Sequence, residues 1–132
     1  MVQLAIEGNP SFRLSRAELD YPPPYYAVDT VGRIRKELGV NAQLLYLLGS
    51  DAAGQLSSWR DLDTLRALVQ FVVVPRPGYP VQELPPGTKT IELEAPDISS
   101  SEIRQRLREG KTIQDLVPET VARYIKEHLL YR

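Results

Sequence analysis

The apolar positions of this chain fall into short unbroken runs and stripes spaced three and four apart, and their alternation predicts an α/β domain. Leu44-Leu45-Tyr46-Leu47-Leu48, closed by Gly49-Ser50-Asp51, predicts a central strand buried on both faces of a parallel sheet. Phe71-Val72-Val73-Val74 predicts a second buried strand, and Thr88 to Glu94 a third. Val28, Val31, Ile34 and Leu38 share one face of a helix expected from Ala27 to Leu38, with Gly39 at its end. Ser58-Trp59-Arg60-Asp61 has capping-box spacing, so a helix is expected to open at Trp59 and carry Leu62, Leu65 and Leu68. Ser99 with Glu102, and Ile98 with Ile103, have the spacings of a capping box and a hydrophobic staple, which predicts a helix from Ser100 that stops before Gly110. Val117-Pro118-Glu119 opens a last helix with Pro118 at its first position and Val121, Tyr124, Ile125 and His128 on one stripe. At the other end, Met1 to Glu7 has the apolar content of a helix stopped by Gly8-Asn9-Pro10, but no N-cap precedes it. Phe12 to Ser15 alternates as a short strand, Tyr21 to Tyr26 is a proline-stiffened extended connector, and Pro75 to Pro80 is rich in turn residues.

The length, 132 residues, suits one domain spanning 1–132 but is short for a complete two-layered nucleotide enzyme. A net charge near −1 supplies neither a basic field for nucleic acid nor a polybasic membrane patch. With no cysteine and one histidine, His128, disulfides and thiolate or multi-histidine zinc sites are excluded, so a divalent ion enters only through carboxylates or a bound nucleotide. No apolar run has membrane length and no signal peptide is visible, so the expected location is cytoplasmic.

Candidate chemistry concentrates at predicted element ends. If the strand Thr88 to Glu94 feeds the helix at Ser100, the turn between them is the usual anion-binding corner of an open α/β sheet. Ser99, Ser100 and Ser101 add hydroxyls there and Arg104 a forked cation about one turn in, an arrangement that suits a phosphate, although an ordinary well-capped helix has the same spacing. If Ser58 caps the next helix upstream, the N–H groups of Trp59 and Arg60 offer a carboxylate two donors and the positive end of a dipole. Gly49 permits close backbone approach, and Asp51 at a strand end can accept bonds from ribose hydroxyls, or Gly49-Ser50-Asp51 is simply a turn.

Ile98-Ser99-Ser100-Ser101-Glu102-Ile103-Arg104 resembles the Ile-Ser-x-Thr/Ser-x-x-Arg signature of a nucleotidyltransferase superfamily, with Ser101 where Thr is commoner. Pro24 to Thr30, Leu48-Gly49-Ser50-Asp51, Trp59-Arg60, Arg76-Pro77-Gly78 and Leu116-Val117-Pro118 complete a series whose order and spacing resemble the bacterial nicotinate-nucleotide adenylyltransferases. The resemblance implies a Rossmann-like nucleotidyltransferase fold, a parallel sheet flanked by helices. It implies that ATP and nicotinate mononucleotide are joined to give deamido-NAD and pyrophosphate in NAD biosynthesis, with Mg2+ accompanying ATP and no protein metal site. It further implies that Gly49 and Asp51 meet the adenosine, that Ser99, Ser101 and Arg104 meet the triphosphate, and that Trp59 stacks on the pyridine ring. Tyr26, Ala27 and Arg60 would meet the mononucleotide carboxylate, and Arg76 stands where the family carries a basic residue. Ala27 departs from the family's Tyr-Thr pair; it keeps a backbone donor and loses a hydroxyl.

The family's Gly-Gly-Thr-Phe-Asp-Pro turn and His-x-x-His pair have no counterpart here, so no catalytic residue is assigned and His128 on the last helix does not substitute. The expectation is therefore a C-terminal two-thirds of such an enzyme, incomplete at its N-terminal side. The Leu44 to Leu48 strand would then show an unpaired apolar edge, to be completed by a missing N-terminal segment or a homo-oligomer. The rival readings are a noncatalytic nucleotide-binding or partner-completed module, and an adenylyltransferase acting on nicotinamide mononucleotide or phosphopantetheine.

Overall fold

The structure, a computed structural model, describes residues 1–81, 84–93 and 96–132. In chain order its elements are α1 (Val2–Ile6), α2 (Ala27–Leu38), β1 (Leu45–Gly49), α3 (Ser50–Ala53), a 3-10 turn (Leu56–Ser58), α4 (Leu62–Leu68), β2 (Gln70–Val74), β3 (Lys89–Thr90), α5 (Ser100–Arg108) and α6 (Glu119–Glu127). They belong to two compact units, Arg16–Asp97 and a second made of Met1–Ser15 with Ile98–Arg132.

The first unit holds a three-stranded parallel sheet in the order β1-β2-β3. The registers run from Leu45 opposite Gln70 to Gly49 opposite Val74, and from Val72 opposite Lys89 to Val73 opposite Thr90. Because strand side chains alternate, Tyr46 and Leu48 turn to one face, where Leu48 joins Val31 of α2, Leu65 of α4, Leu56, Ala53, Phe71 and Val73 in a core. Arg35 ties the layers by donating from Nη2 to Leu68 O at 2.7 Å and from Nη1 to the carbonyls of Val40 and Ala42. The end of α2, the entry to β1 and the end of α4 thereby share one cation.

Several sequence expectations are corrected here. Leu45 and Leu47 are each 63% exposed, so β1 is not buried on both faces; it is an edge strand of the described sheet, and the apolar run is continuous without being a both-sided core. The fully flanked strand is β2, whose Phe71, Val72 and Val73 are all buried. The third strand is only Lys89–Thr90, extended by the bond from Ile91 N to Val73 O; Glu94 lies outside the described residues. Phe12 to Ser15 is not a strand but an exposed segment, because alternation alone does not make one.

The second unit is helical. Ile113, Val121 and Ile125 form its core, with Leu4, Ile103, Leu107, Val117, Ala122 and Leu130 packed against them. Thr120 Oγ1 donates to Leu4 O at 3.1 Å, which fastens α1 to the start of α6. Pro118 serves as the N-cap residue of α6, not its first helical one, with Val121 N and Ala122 N bonded to its carbonyl. His128 ends α6 stacked on Tyr124, ring centroids 3.9 Å apart, with Nδ1 3.0 Å from Tyr124 O. No helix among the described residues is long and apolar enough to cross a membrane.

Candidate functional site

A cavity of about 520 Å³ in the sheet unit gathers Glu18, Tyr25, Tyr26, Ala27, Tyr46, Ser58, Trp59 and Arg60. Tyr26, Ala27, Trp59 and Arg60, singled out from sequence at distant positions, thus share one pocket. Trp59 is half-buried, and the Tyr46 ring meets it nearly edge-on at 5.6 Å while also touching Phe71 at 5.8 Å. Core packing from β1 and β2 therefore holds the indole in place. The Arg60 guanidinium lies 4.4 Å over the Tyr26 ring, a cation–π contact at the pocket wall. Burial, with a smaller contribution from the Glu18 charge, pushes the Tyr46 hydroxyl above its usual range and keeps it protonated.

The helix expected to open at Trp59 does not. Ser58 ends the 3-10 turn and its Oγ donates to Gln55 O at 2.7 Å, so it caps nothing downstream. Trp59 N is already bonded to Leu56 O, and Asp61, in the left-handed region at φ 51°, separates the turn from α4. A serine ahead of an acidic residue suits a 3-10 turn as well as a helix cap, which is why spacing alone misplaced the start. The helix that does open onto the pocket is α2. Its first carbonyl, Tyr26 O, takes bonds from Asp29 N and Thr30 N, and the N–H groups of Ala27 and Val28 have no partner among the described residues.

A second cluster sits where β1 ends. Asp51 Oδ2 accepts from Arg76 Nη1 at 2.8 Å, and Asp51 Oδ1 occupies the space that a Cβ on Gly49 would need. Buried Ser50 donates from Oγ to Tyr79 O at 2.6 Å and accepts from Arg76 N at 2.9 Å, so it clips the Arg76–Tyr79 turn onto the end of β1. Sequence reading passed over Ser50, although its place inside Gly49-Ser50-Asp51 marked it as a turn residue.

In the helical unit, Ser99 caps α5 by accepting from Glu102 N at 3.1 Å. Glu102 does not complete a reciprocal box; its carboxylate instead binds Arg106 at 2.9 Å. Arg104 Nη2 donates to Ser101 Oγ at 3.2 Å, one turn of the helix pre-assembling a hydroxyl and a guanidinium. In chain order β3 precedes α5, with residues 91–99 between them, of which 94 and 95 lie outside the described residues. A larger cavity, about 880 Å³, lies in that unit among Leu107, Ile113, Arg123 and Lys126 and contains none of the candidate site residues named from sequence.

A parallel α/β sheet with an aromatic pocket and a charged corner at the end of a strand is the architecture of a nucleotide-handling domain. Residues 1–106 match the cytidylyltransferase-like family. A protein named probable nicotinate-nucleotide adenylyltransferase from Thermus thermophilus is 39% identical over 132 residues, which is the whole of this chain and 70% of the relative. One of the same name from Tropheryma whipplei is 39% identical over 133 residues, covering the whole chain and 71% of the relative. The solved structure of Plasmodium falciparum nicotinic acid mononucleotide adenylyltransferase complexed with APC superposes with a TM-score of 0.66 at 25% identity, covering 83% of this chain and 59% of that one. The chain belongs to the cytidylyltransferase-like nucleotidyltransferases, and within them to the nicotinate-nucleotide adenylyltransferase family.

Proposed function

We propose that this protein serves the transfer of an adenylyl group from ATP to nicotinate mononucleotide, giving deamido-NAD and pyrophosphate, as a cytoplasmic enzyme of NAD biosynthesis. The observation that carries this reading is the convergence of Tyr26, Ala27, Trp59 and Arg60 on one cavity. The pyridine ring lies on Trp59, whose orientation Tyr46 and Phe71 fix before the ligand arrives. The nicotinate carboxylate meets the N–H groups of Ala27 and Val28 at the start of α2 and the Arg60 guanidinium, which must leave the Tyr26 ring or share it. This replaces the carboxylate contact expected at Trp59 N, whose hydrogen is already committed to Leu56 O.

For ATP, Gly49 and Asp51 meet the adenosine, Arg76 holds the Asp51 carboxylate in place, and Ser99, Ser101 and Arg104 meet the triphosphate. The mononucleotide phosphate attacks the α-phosphorus in line, the bond to pyrophosphate breaks, and the residues named here position the reactants and balance their charge. Mg2+ enters this reading as the companion of the triphosphate.

Titrating nicotinate mononucleotide against the fluorescence of Trp59, the sole tryptophan, tests the pocket. Saturable quenching, with tighter binding than for nicotinamide mononucleotide, is the expected result. A folded chain whose emission ignores both ligands overturns the assignment.

A further inference from the structure

Two polar groups on the wall of the Trp59 cavity have no role in gripping a pyridine ring or its carboxylate. Glu18 Oε1 accepts from Thr30 Oγ1 at 3.0 Å, a bond that fixes the side chain against α2, while its other oxygen has no hydrogen-bond partner among the described residues. The Tyr46 hydroxyl likewise has none, although its ring is wedged between Trp59 and Phe71. The cavity therefore offers one anchored carboxylate that only accepts and one phenol, held protonated, that can donate.

We propose that Glu18 and Tyr46 form the sugar-reading side of this pocket: a ribose whose ring base lies on Trp59 donates its vicinal hydroxyls to the Glu18 carboxylate and accepts from the Tyr46 hydroxyl. This rests on the mononucleotide reading above and deepens it, because it makes the pocket specific for ribosides over the free aromatic acid and over 2′-deoxy analogues. The chemistry fits a diol: two adjacent hydroxyls supply two donors, and a carboxylate is the side chain with acceptor capacity for both. The charge of Glu18 also repels a 5′-phosphate, which turns the sugar so that its diol faces Glu18 and its phosphate points away. Arg60, the one cation lining the cavity among the described residues, offsets the carboxylate without pairing with it, since it lies over Tyr26.

The test compares nicotinate mononucleotide with its 2′-deoxy counterpart by Trp59 fluorescence in the wild-type chain, Glu18→Gln, Tyr46→Phe and Thr30→Val. The wild type should prefer the ribose form by about tenfold or more, the worth of one charge-assisted bond. Glu18→Gln should erase most of that preference, and Tyr46→Phe and Thr30→Val, which releases the Glu18 carboxylate from α2, should each erase part of it. Equal loss of both ligands in Glu18→Gln assigns Glu18 a purely structural role and overturns the proposal while leaving the pocket reading intact. A wild type that does not discriminate overturns it as well, and that ratio decides the matter should Glu18→Gln fail to fold. If neither ligand quenches Trp59, the pocket reading falls and this proposal with it.

Discussion

Gly49 shows how a single residue type can be set by its neighbours and not by its own backbone. Its φ of −73° is open to any residue, yet a Cβ there would collide with Asp51 Oδ1 and press on Arg76 Cδ at 3.1 Å. Gly49→Ala should therefore turn Asp51 away from Arg76, weakening ATP about tenfold while leaving nicotinate mononucleotide nearly unchanged. Because Asp51→Ala breaks the same pair, the double variant should lose little more than either single one; additive losses in ATP titrations would show that the two act separately. At Tyr46 the sign of a pH effect can be worked out. Its pKa is raised in the fold by burial first and the Glu18 charge second, so the folded state holds the proton more tightly than the unfolded chain does. The stability this represents is complete below the unfolded tyrosine value of about 10 and is lost as pH rises through the folded value. Alkaline melting of Tyr46→Phe should accordingly show a shallower decline above about pH 10 than the wild type, and parallel declines would contradict it.

Among elements, α2 is the one on which the proposed substrate choice rests. Its N-cap residue Tyr26 is extended at φ −109°, ψ 138°, and Ala27 is the first helical residue, the place where proline is best tolerated and where its preceding residue already has the required conformation. Ala27→Pro should thus delete one N–H donor while α2 persists by circular dichroism. The expected outcome is a fall in the preference for nicotinate over nicotinamide mononucleotide by about tenfold, the difference between a charge-assisted and a lost bond. An unchanged ratio would mean that α2 does not read the carboxylate. This element was also the most legible in the sequence, since a four-residue apolar stripe and Gly39 bracket Ala27–Leu38 without competition from another pattern. The neighbouring helix was not, because Ser58 and Asp61 fit a cap on paper while the left-handed turn at Asp61 and the bond from Trp59 N to Leu56 O are decided by packing around Leu56 and Leu65. The third strand is shorter than alternation suggested for a related reason: alternation records which side chains suit a strand, and among the described residues the register with β2 runs from Lys89 to Thr90, with one further bond from Ile91 N. Among candidate site residues, motif order pointed to Trp59 and Ala27, but nothing in the sequence marked Glu18, whose significance comes only from the turn that brings it to the same cavity.

At the scale of the molecule, the assigned groups divide between the two compact units. The sheet unit carries the Trp59 pocket and the Gly49–Asp51–Arg76 corner, and the helical unit carries Ser99, Ser101 and Arg104, each group organised by contacts within its own unit. In the proposed reading the mononucleotide is bound within the sheet unit, so the 132-residue chain should bind it. Turnover asks more, because charge on the reacting phosphates must be neutralised from several sides, and loss of one such group commonly costs about a hundredfold or more in rate. The chain's one histidine is committed elsewhere, stacked on Tyr124 at the end of α6, and the cations assigned to the phosphates are Arg104 alone, with Arg76 tied to Asp51. The prediction is a dissociation of the two functions: nicotinate mononucleotide quenches Trp59, while deamido-NAD formation from ATP by the 132-residue chain stays near the uncatalysed rate. Arg104→Ala should then leave the quenching titration untouched and weaken ATP. Measuring deamido-NAD and pyrophosphate release under conditions where quenching is saturated decides the point, and steady turnover by this chain would mean that the groups described here suffice for the chemistry.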